Sequence, residues 1–374
     1  MTAPRLFAPL KVGSVEAPNR LWMPPMCQYS AAPAGDGLGR PTDWHLVHYG
    51  ARALGGVGAV IVEATGVVPE GRISVGCLSL HEDSRIPDFA RLADVVHEGG
   101  AKAFIQLNHA GRKGSSRVQW ESDRGPAPVD EGGWETVAPS PIPFGPDDPS
   151  PRALEAEEIE GIIDAFAAAA RRAVDAGFDG VQIHGAHGYL LHQFLSPDSN
   201  RRSDEWGGSF EGRSRLIREV VRRVRDSIGD AALLVRLSAT DWLEDDARPG
   251  ARSWTLADTT RLAPLLVGDG ADMLCLSTGG NALAPMPIGP GYQVFAARAV
   301  RRVLADAGLS APVSTVGLIR SAEQAEQILL DGSADVVEIG RDLLADPMLP
   351  RLWAARLRAE LPMPPQYNRA HPRR

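Results

Sequence analysis

The chain has 374 residues, 44% of them hydrophobic and 23% charged, with a net charge of −8 and a pI near 5.6. That apolar share supplies a sizeable core and excludes global disorder, while the acidic balance excludes a nucleic-acid binder that works by general phosphate attraction. Cys27, Cys77 and Cys275 are widely separated and no CxxC pair exists, which excludes a disulfide framework and the usual zinc and iron–sulfur motifs. The opening MTAPRLFAPLKVG lacks a long apolar run. No later run reaches the ~18–20 residues a membrane span needs. The expectation is a soluble, cytoplasmic protein that engages neither membrane nor nucleic acid.

In chain order, residues 1–20 read as a short hairpin that turns at Gly13. Eight short runs rich in Val, Ile and Leu follow: 21–27, 59–64, 103–107, 180–183, 233–237, 273–277, 313–316 and 336–339. Several are apolar on consecutive residues, the pattern of parallel strands covered on both faces. Helical patterns fill the intervals. The clearest, 157–176, puts Ile159, Ile162, Ile163, Phe166, Ala170 and Ala173 on one stripe, with acids in its first turns and Gly177 at its end. Another, 321–330, opens on Ser321, with Glu323 one place short of the capping-box position.

After the third run comes a Pro- and Gly-rich excursion, 111–153, too long for a spacer and of the kind that forms lids or binding loops. The chain closes on a Pro-rich tail, 361–374. No composition break divides the rest. The prediction is one α/β domain over 1–374, a (β/α)8 barrel with an N-terminal hairpin and a long loop after strand three. A doubly wound open sheet is the alternative.

In such a barrel the chemistry sits at the carboxyl ends of the strands. Strand one delivers Cys27 and Tyr29; strand two Glu63, Ala64 and Thr65; strand three Gln106 and His109. Strand four delivers His184, His187 and Tyr189; strand five Arg236; strand six Ser277 through Gly280. Strands seven and eight end in Gly317 and in Gly340–Arg341. Hydrogen-bonding and redox-capable side chains therefore occupy one half of the rim. Glycines with one arginine occupy the other, where backbone N–H groups commonly hold a phosphate.

Three readings fit His184 and His187: a metal site completed by His192 or a carboxylate, a pair of neutral N–H donors for a developing oxyanion, or core histidines satisfied by backbone. The lack of a neighbouring general base weakens the first. The second fits two histidines better than the third does. Tyr189 is placed to donate a proton. No P-loop is present, and the glycines at 55–58 precede a strand, the wrong order for a dinucleotide fingerprint.

The segment VQIHGAHGYLLHQFLSPDSNRRSDEWGGSFEGRSRL resembles the signature of the old yellow enzyme family of FMN-dependent ene-reductases. MPPMCQYS, PTDWHLVHYGARALGGVGAVIVEATGV, FIQLNHAGRK and ADVVEIGRDLL resemble that family too, in order, over nearly the whole chain. The Cys27 motif, the paired histidines and the short tail resemble its thermophilic-like, xenobiotic-reductase branch.

The resemblance implies a (β/α)8 barrel holding FMN and reduced by NADPH or NADH in the same pocket. Pro24, Pro25, Met26 and Cys27 match the stretch that lines the flavin, with the Cys27 thiol tuning its potential. Ala64 and Gln106 match flavin-contacting positions. Arg236 matches the cation near the flavin N1 edge. Gly280, Gly317, Gly340 and Arg341 match the phosphate anchor. His184 and His187 match the pair that binds a substrate carbonyl, Tyr189 the residue that protonates the α-carbon, and Tyr29 a substrate-lining position. Arg369 resembles an arginine that reaches a partner subunit's site, which implies a homodimer or homotetramer. Trp206 replaces a usual Tyr and is expected to pack.

The resulting expectation is an NAD(P)H oxidoreductase that reduces the activated C=C bond of small enones, without a metal. The alternatives are a flavin, nitro or quinone reductase, or a flavin-binding protein. A phosphate-barrel lyase or aldolase needs a strand-end lysine or metal, and neither Lys102 nor Lys113 ends a predicted strand.

Overall fold

The structure is a computed structural model that describes residues 4–32, 34–121, 125–244 and 252–370; positions 371–374 of the predicted tail lie outside it. Strands β1 (Leu10–Val12) and β2 (Val15–Ala17) form the expected antiparallel hairpin. Gly13 turns it at φ +57°, a conformation glycine adopts without strain. Then come β3 (Leu21–Met23), β4 (Ala59–Gly66) and β5 (Lys102–Asn108). The excursion carries a short parallel pair, β6 (Val137–Ala138) and β7 (Arg152–Ala153). The chain continues through β8 (Gly180–Gly185), β9 (Ala232–Ser238), β10 (Met273–Ser277), β11 (Val313–Thr315) and β12 (Val336–Glu338).

Eight of these strands close into a parallel barrel in the order β10-β11-β12-β3-β4-β5-β8-β9, with helices between them. The open-sheet alternative is thereby ruled out. Each predicted run supplies one barrel strand. The first is shorter than expected: it stops at Met23, because Pro24 and Pro25 have no N–H to give the ladder.

The helix expected over 157–176 spans Ala156–Asp175. Glu155 caps it in a reciprocal box with Glu158, whose carboxylate accepts the Glu155 N–H at 2.8 Å. Ser321 caps the helix Ala322–Leu330 through the N–H of Gln324, so Gln324 and not Glu323 holds the third position. Trp206 packs in the core as expected.

Alternation along the strands sends every second side chain into the barrel. At the amino end these are Trp22, Ala59, Ile61, Phe104, Ala232, Leu234, Met273, Cys275 and Val336, a separate apolar cluster plugged from below by Val12 and Ala17 of the hairpin. Trp22 and Phe104 stack there with centroids 5.5 Å apart. The outer faces of the strands join the helices in a larger cluster. Phe104→Ala would open a void in the plug that the closed barrel has little room to collapse. The expected loss is about 3–5 kcal/mol in urea unfolding; a loss under about 1 kcal/mol would show that the plug does not carry the barrel.

Candidate active site

On four strands the inward series turns polar one step further along. Ile61 gives way to Glu63, Phe104 to Gln106, Leu234 to Arg236 and Val336 to Glu338. Gln106 donates to Gln182 Oε1 at 2.7 Å. Arg236 Nη1 donates to Glu338 Oε2 at 3.1 Å, and Ser314 donates to the other oxygen of Glu338. Gln182 Nε2, Arg236 Nε and Thr315 Oγ1 are buried here and have no hydrogen-bond partner within the described residues.

Above this layer β8 ends in the two histidines. The rings of His184 and His187 stand edge to face with centroids 5.2 Å apart, and Tyr189 meets His184 at 5.0 Å. His187 is held in a left-handed conformation, φ +58°. Its N–H donates to Ser238 Oγ at 3.0 Å, and its Nε2 lies 2.7 Å from Ser277 Oγ. Gly280 closes over it: a Cβ there would stand 2.7 Å from His187 Cα. Burial first, and the nearby Arg236 next, hold both imidazoles far below the ordinary histidine range. They are neutral N–H donors at physiological pH. Burial keeps the Tyr189 hydroxyl protonated.

His192 takes no part in that pair. Its Nε2 lies 2.9 Å from Asp241 Oδ1, and its Nδ1 accepts the N–H of Gly188 at 2.9 Å. Among the described residues no group of three His, Cys, Asp or Glu could hold a metal ion.

On the facing side Cys27, Tyr29 and Tyr189 pack on one small cluster of Ala64, Ile73, Cys77 and Ala110. A hydrogen bond with Cys77, followed by burial, pushes the Cys27 thiol up. Tyr29 is left-handed at φ +49° and meets Trp120 edge-on at 5.9 Å. The register of β4 against β5 slips between Val62 and Thr65, where Ala64 lies. Such bulges re-aim side chains beside active sites.

Across the rim, Gly317, Gly340 and Arg341 line a cleft of about 110 Å³ together with Gln293, Arg320 and Glu338. Pro24 and Met26 approach Gly340, so the end of β3 borders this cleft. Gly280, grouped with this cleft from the sequence, is not among these lining residues; its backbone packs closely against that of His187. Arg369 is exposed on the last short helical segment, Pro365–Ala370. Its neighbours at 361–367 border the amino ends of the strands beside Asn19 and Gly56, so Arg369 does not enter its own chain's site.

Residues 5–360 match the model of the NADH:flavin oxidoreductase / NADH oxidase family. The chain belongs to the old yellow enzyme family. It is 43% identical over 375 residues to NADH:flavin oxidoreductase FG08077 of Gibberella zeae, covering 97% of this chain and 88% of that one. It is 42% identical over 364 residues to an NADPH dehydrogenase of Geobacillus thermodenitrificans, covering 97% and 98%. Its structure superposes on that of a morphinone reductase with a TM-score of 0.74 and 30% identity, over 98% of this chain and 93% of the other.

This old yellow enzyme is thus an oxidoreductase with FMN and NAD(P)H as its cofactors. The rim fits FMN. The unpartnered donors Gln182 Nε2 and Arg236 Nε suit the carbonyl-rich edge of a flavin, and the Gly317–Gly340–Arg341 cleft suits a phosphate. No helix among the described residues is long and apolar enough to cross a membrane.

Three residues of this site carry no role legible in the sequence. Ser277 orients His187. Lys113, set aside as not ending a strand, lies on the turn Gly111–Lys113 and reaches the His187 loop. Glu63 accepts the Gln28 N–H at 3.1 Å and the Tyr49 hydroxyl at 2.8 Å, and so anchors the backbone just after Cys27. Only the strand-end position of Ser277 and Glu63 marked them.

Burial pushes the Glu63 carboxyl from 4.5 up to about 7, against the pull of those two hydrogen bonds. The folded enzyme therefore binds this proton more tightly than the unfolded chain. The resulting stability is fully present below about pH 4.5 and is lost as pH rises through about 7. Glu63→Gln removes that loss, so its stability relative to the parent should improve between pH 5 and pH 8, by up to roughly 3 kcal/mol. Urea midpoints at the two pH values measure this; the same difference at both would refute titration of Glu63 in that window.

Proposed function

We propose that the enzyme reduces the activated C=C bond of α,β-unsaturated carbonyl compounds. The observation that carries this reading is the convergence of two neutral imidazoles and a protonated phenol, with ring centroids 5.0–5.2 Å apart, at the carboxyl end of the barrel. Two uncharged N–H donors bind a carbonyl oxygen and stabilise the negative charge that develops on it. Polarising that oxygen makes the β-carbon electrophilic. FMN held at this rim would supply the hydride chemistry that links NAD(P)H to the β-carbon. Tyr189 gives its hydroxyl proton to the α-carbon, which completes addition of H⁻ and H⁺ across the double bond, and recovers a proton from solvent.

The remaining residues support the same reading. Gly317, Gly340 and Arg341 would hold the phosphate, Pro24 through Cys27 with Ala64 the ring, and Gln106 and Arg236 its pyrimidine edge. Cys27, with its thiol protonated, would tune the flavin through a neutral contact. Gly280 would support His187 and border the phosphate anchor. Tyr29 and Trp120 would border the substrate. The exposure of Arg369 away from its own site supports a role in a neighbouring copy's site, within a homodimer or homotetramer. The morphinone reductase name of one relative supports a small organic substrate.

The double substitution His184→Ala/His187→Ala tests the reading. It should retain FMN, because the phosphate cleft is on the opposite side of the rim, and lose about 10³-fold or more in 2-cyclohexen-1-one turnover per flavin, the scale expected for removing oxyanion donors. Unchanged turnover would overturn the carbonyl-binding role.

A further inference from the structure

Of the 39 lysines and arginines in this chain only three are lysines: Lys11, Lys102 and Lys113. One of the three lies at the site. Lys113 Nζ donates to the carbonyls of His187 and Gly280, both at 2.8 Å. It also sits 4.3 Å from the ring centroid of Phe144 and 5.2 Å from that of Tyr189. A single ammonium therefore ties together the loop after β8, the loop after β10 and the excursion after β5. The carbonyls it holds are not casual ones. His187 is one of the two left-handed residues of the site, and Gly280 is the glycine that packs closely against it.

An ammonium suits this place better than a guanidinium. Its donors point tetrahedrally, so it can engage two carbonyls from different loops and still face an aromatic ring. It also brings a positive charge against the face of Tyr189. When Tyr189 gives up its proton it becomes a phenolate packed against the apolar cluster of Ala64, Ile73, Cys77 and Ala110, with the Lys113 ammonium 5.2 Å from its ring centroid. Burial, then the charge of Arg112, lowers Lys113 to about 8, which leaves it mainly cationic at neutral pH.

We propose that Lys113 is a positioning residue for this reaction: it locks the His187 and Gly280 carbonyls and serves as the countercharge for Tyr189 during proton transfer. This rests on the enone-reductase reading above. In the step itself, the Tyr189 O–H bond breaks as a C–H bond forms at the α-carbon, a hydride having arrived at the β-carbon, and the phenolate is reprotonated from water. Lys113 loses and gains no proton.

The test uses the FMN-loaded parent, Lys113→Met and Lys113→Arg, assayed per bound flavin with NADPH and 2-cyclohexen-1-one. A parent that does not turn over the enone refutes the underlying reading, not the role of Lys113. With an active parent, Lys113→Met should raise KM and lower kcat about 10–100-fold, and enlarge the solvent deuterium isotope effect on the step that reoxidises the flavin. Lys113→Arg should recover a substantial part of kcat. A Lys113→Met enzyme that is merely less stable, with kcat per flavin and isotope effect unchanged, overturns the proposal.

A measurement on the parent guards against misfolded variants. With three lysines, protein labelled at the lysine ε-carbon gives three signals, and Lys11→Arg and Lys102→Arg assign the third by elimination. Titrating a para-substituted phenol, a mimic of an electron-rich oxygen at the site, should shift the Lys113 signal alone. A stationary Lys113 signal while the phenol saturates the site overturns the proposal as well.

Discussion

Closure of the barrel is the constraint on which the rest depends. A closed parallel sheet forces alternate residues of every strand inward, where they stack in layers along one axis. Four inward series here run from apolar at the amino end to hydrogen-bonding at the carboxyl end: Ile61 to Glu63, Phe104 to Gln106, Leu234 to Arg236, Val336 to Glu338. The hairpin seals the apolar end through Val12 and Ala17. At the polar end, Gln182 Nε2 and Arg236 Nε are buried donors without partners among the described residues. Binding is thus concentrated at one end by the same alternation that builds the core.

Burial then sets the chemistry. The low-dielectric rim disfavours charge on any group that can lose it, so His184 and His187 are neutral, and Tyr189 and Cys27 keep their protons. A site of neutral donors orients a carbonyl without competing for protons. The charges that persist are held by partners: Arg236 by Glu338, and Lys113 by two carbonyls and two rings. Conformational strain is placed where it serves the site. Tyr29 and His187 both adopt left-handed backbone, and each is held by close neighbours: Gly76 against Tyr29, Gly280 against His187.

Much of this was legible in the chain. The eight strands were visible because a parallel strand buried on both faces is a short continuous apolar run, and such runs survive inspection even when their ends do not. Strand ends were less visible: Pro24 and Pro25 stop β3 four residues before the expected limit. The histidine pair and the glycines at Gly317 and Gly340 were legible because a strand end fixes their position locally. Gly280 was legible as a strand-end glycine, but its close fit against His187 was not, because that residue lies on another loop. Lys113 was missed for the same reason. The carbonyls it holds lie 74 and 167 positions away, and no local pattern encodes a contact at that range.

The central claim, that one rim carries both the flavin and the carbonyl-binding pair, is tested most directly by following the visible flavin bands of the purified protein without oxygen. NADPH is added first and 2-cyclohexen-1-one second. Bleaching on the first addition and full return of the oxidised spectrum on the second are expected. Bleaching with no return would contradict the carbonyl-reducing role of His184, His187 and Tyr189 and leave a flavin reductase with a different acceptor.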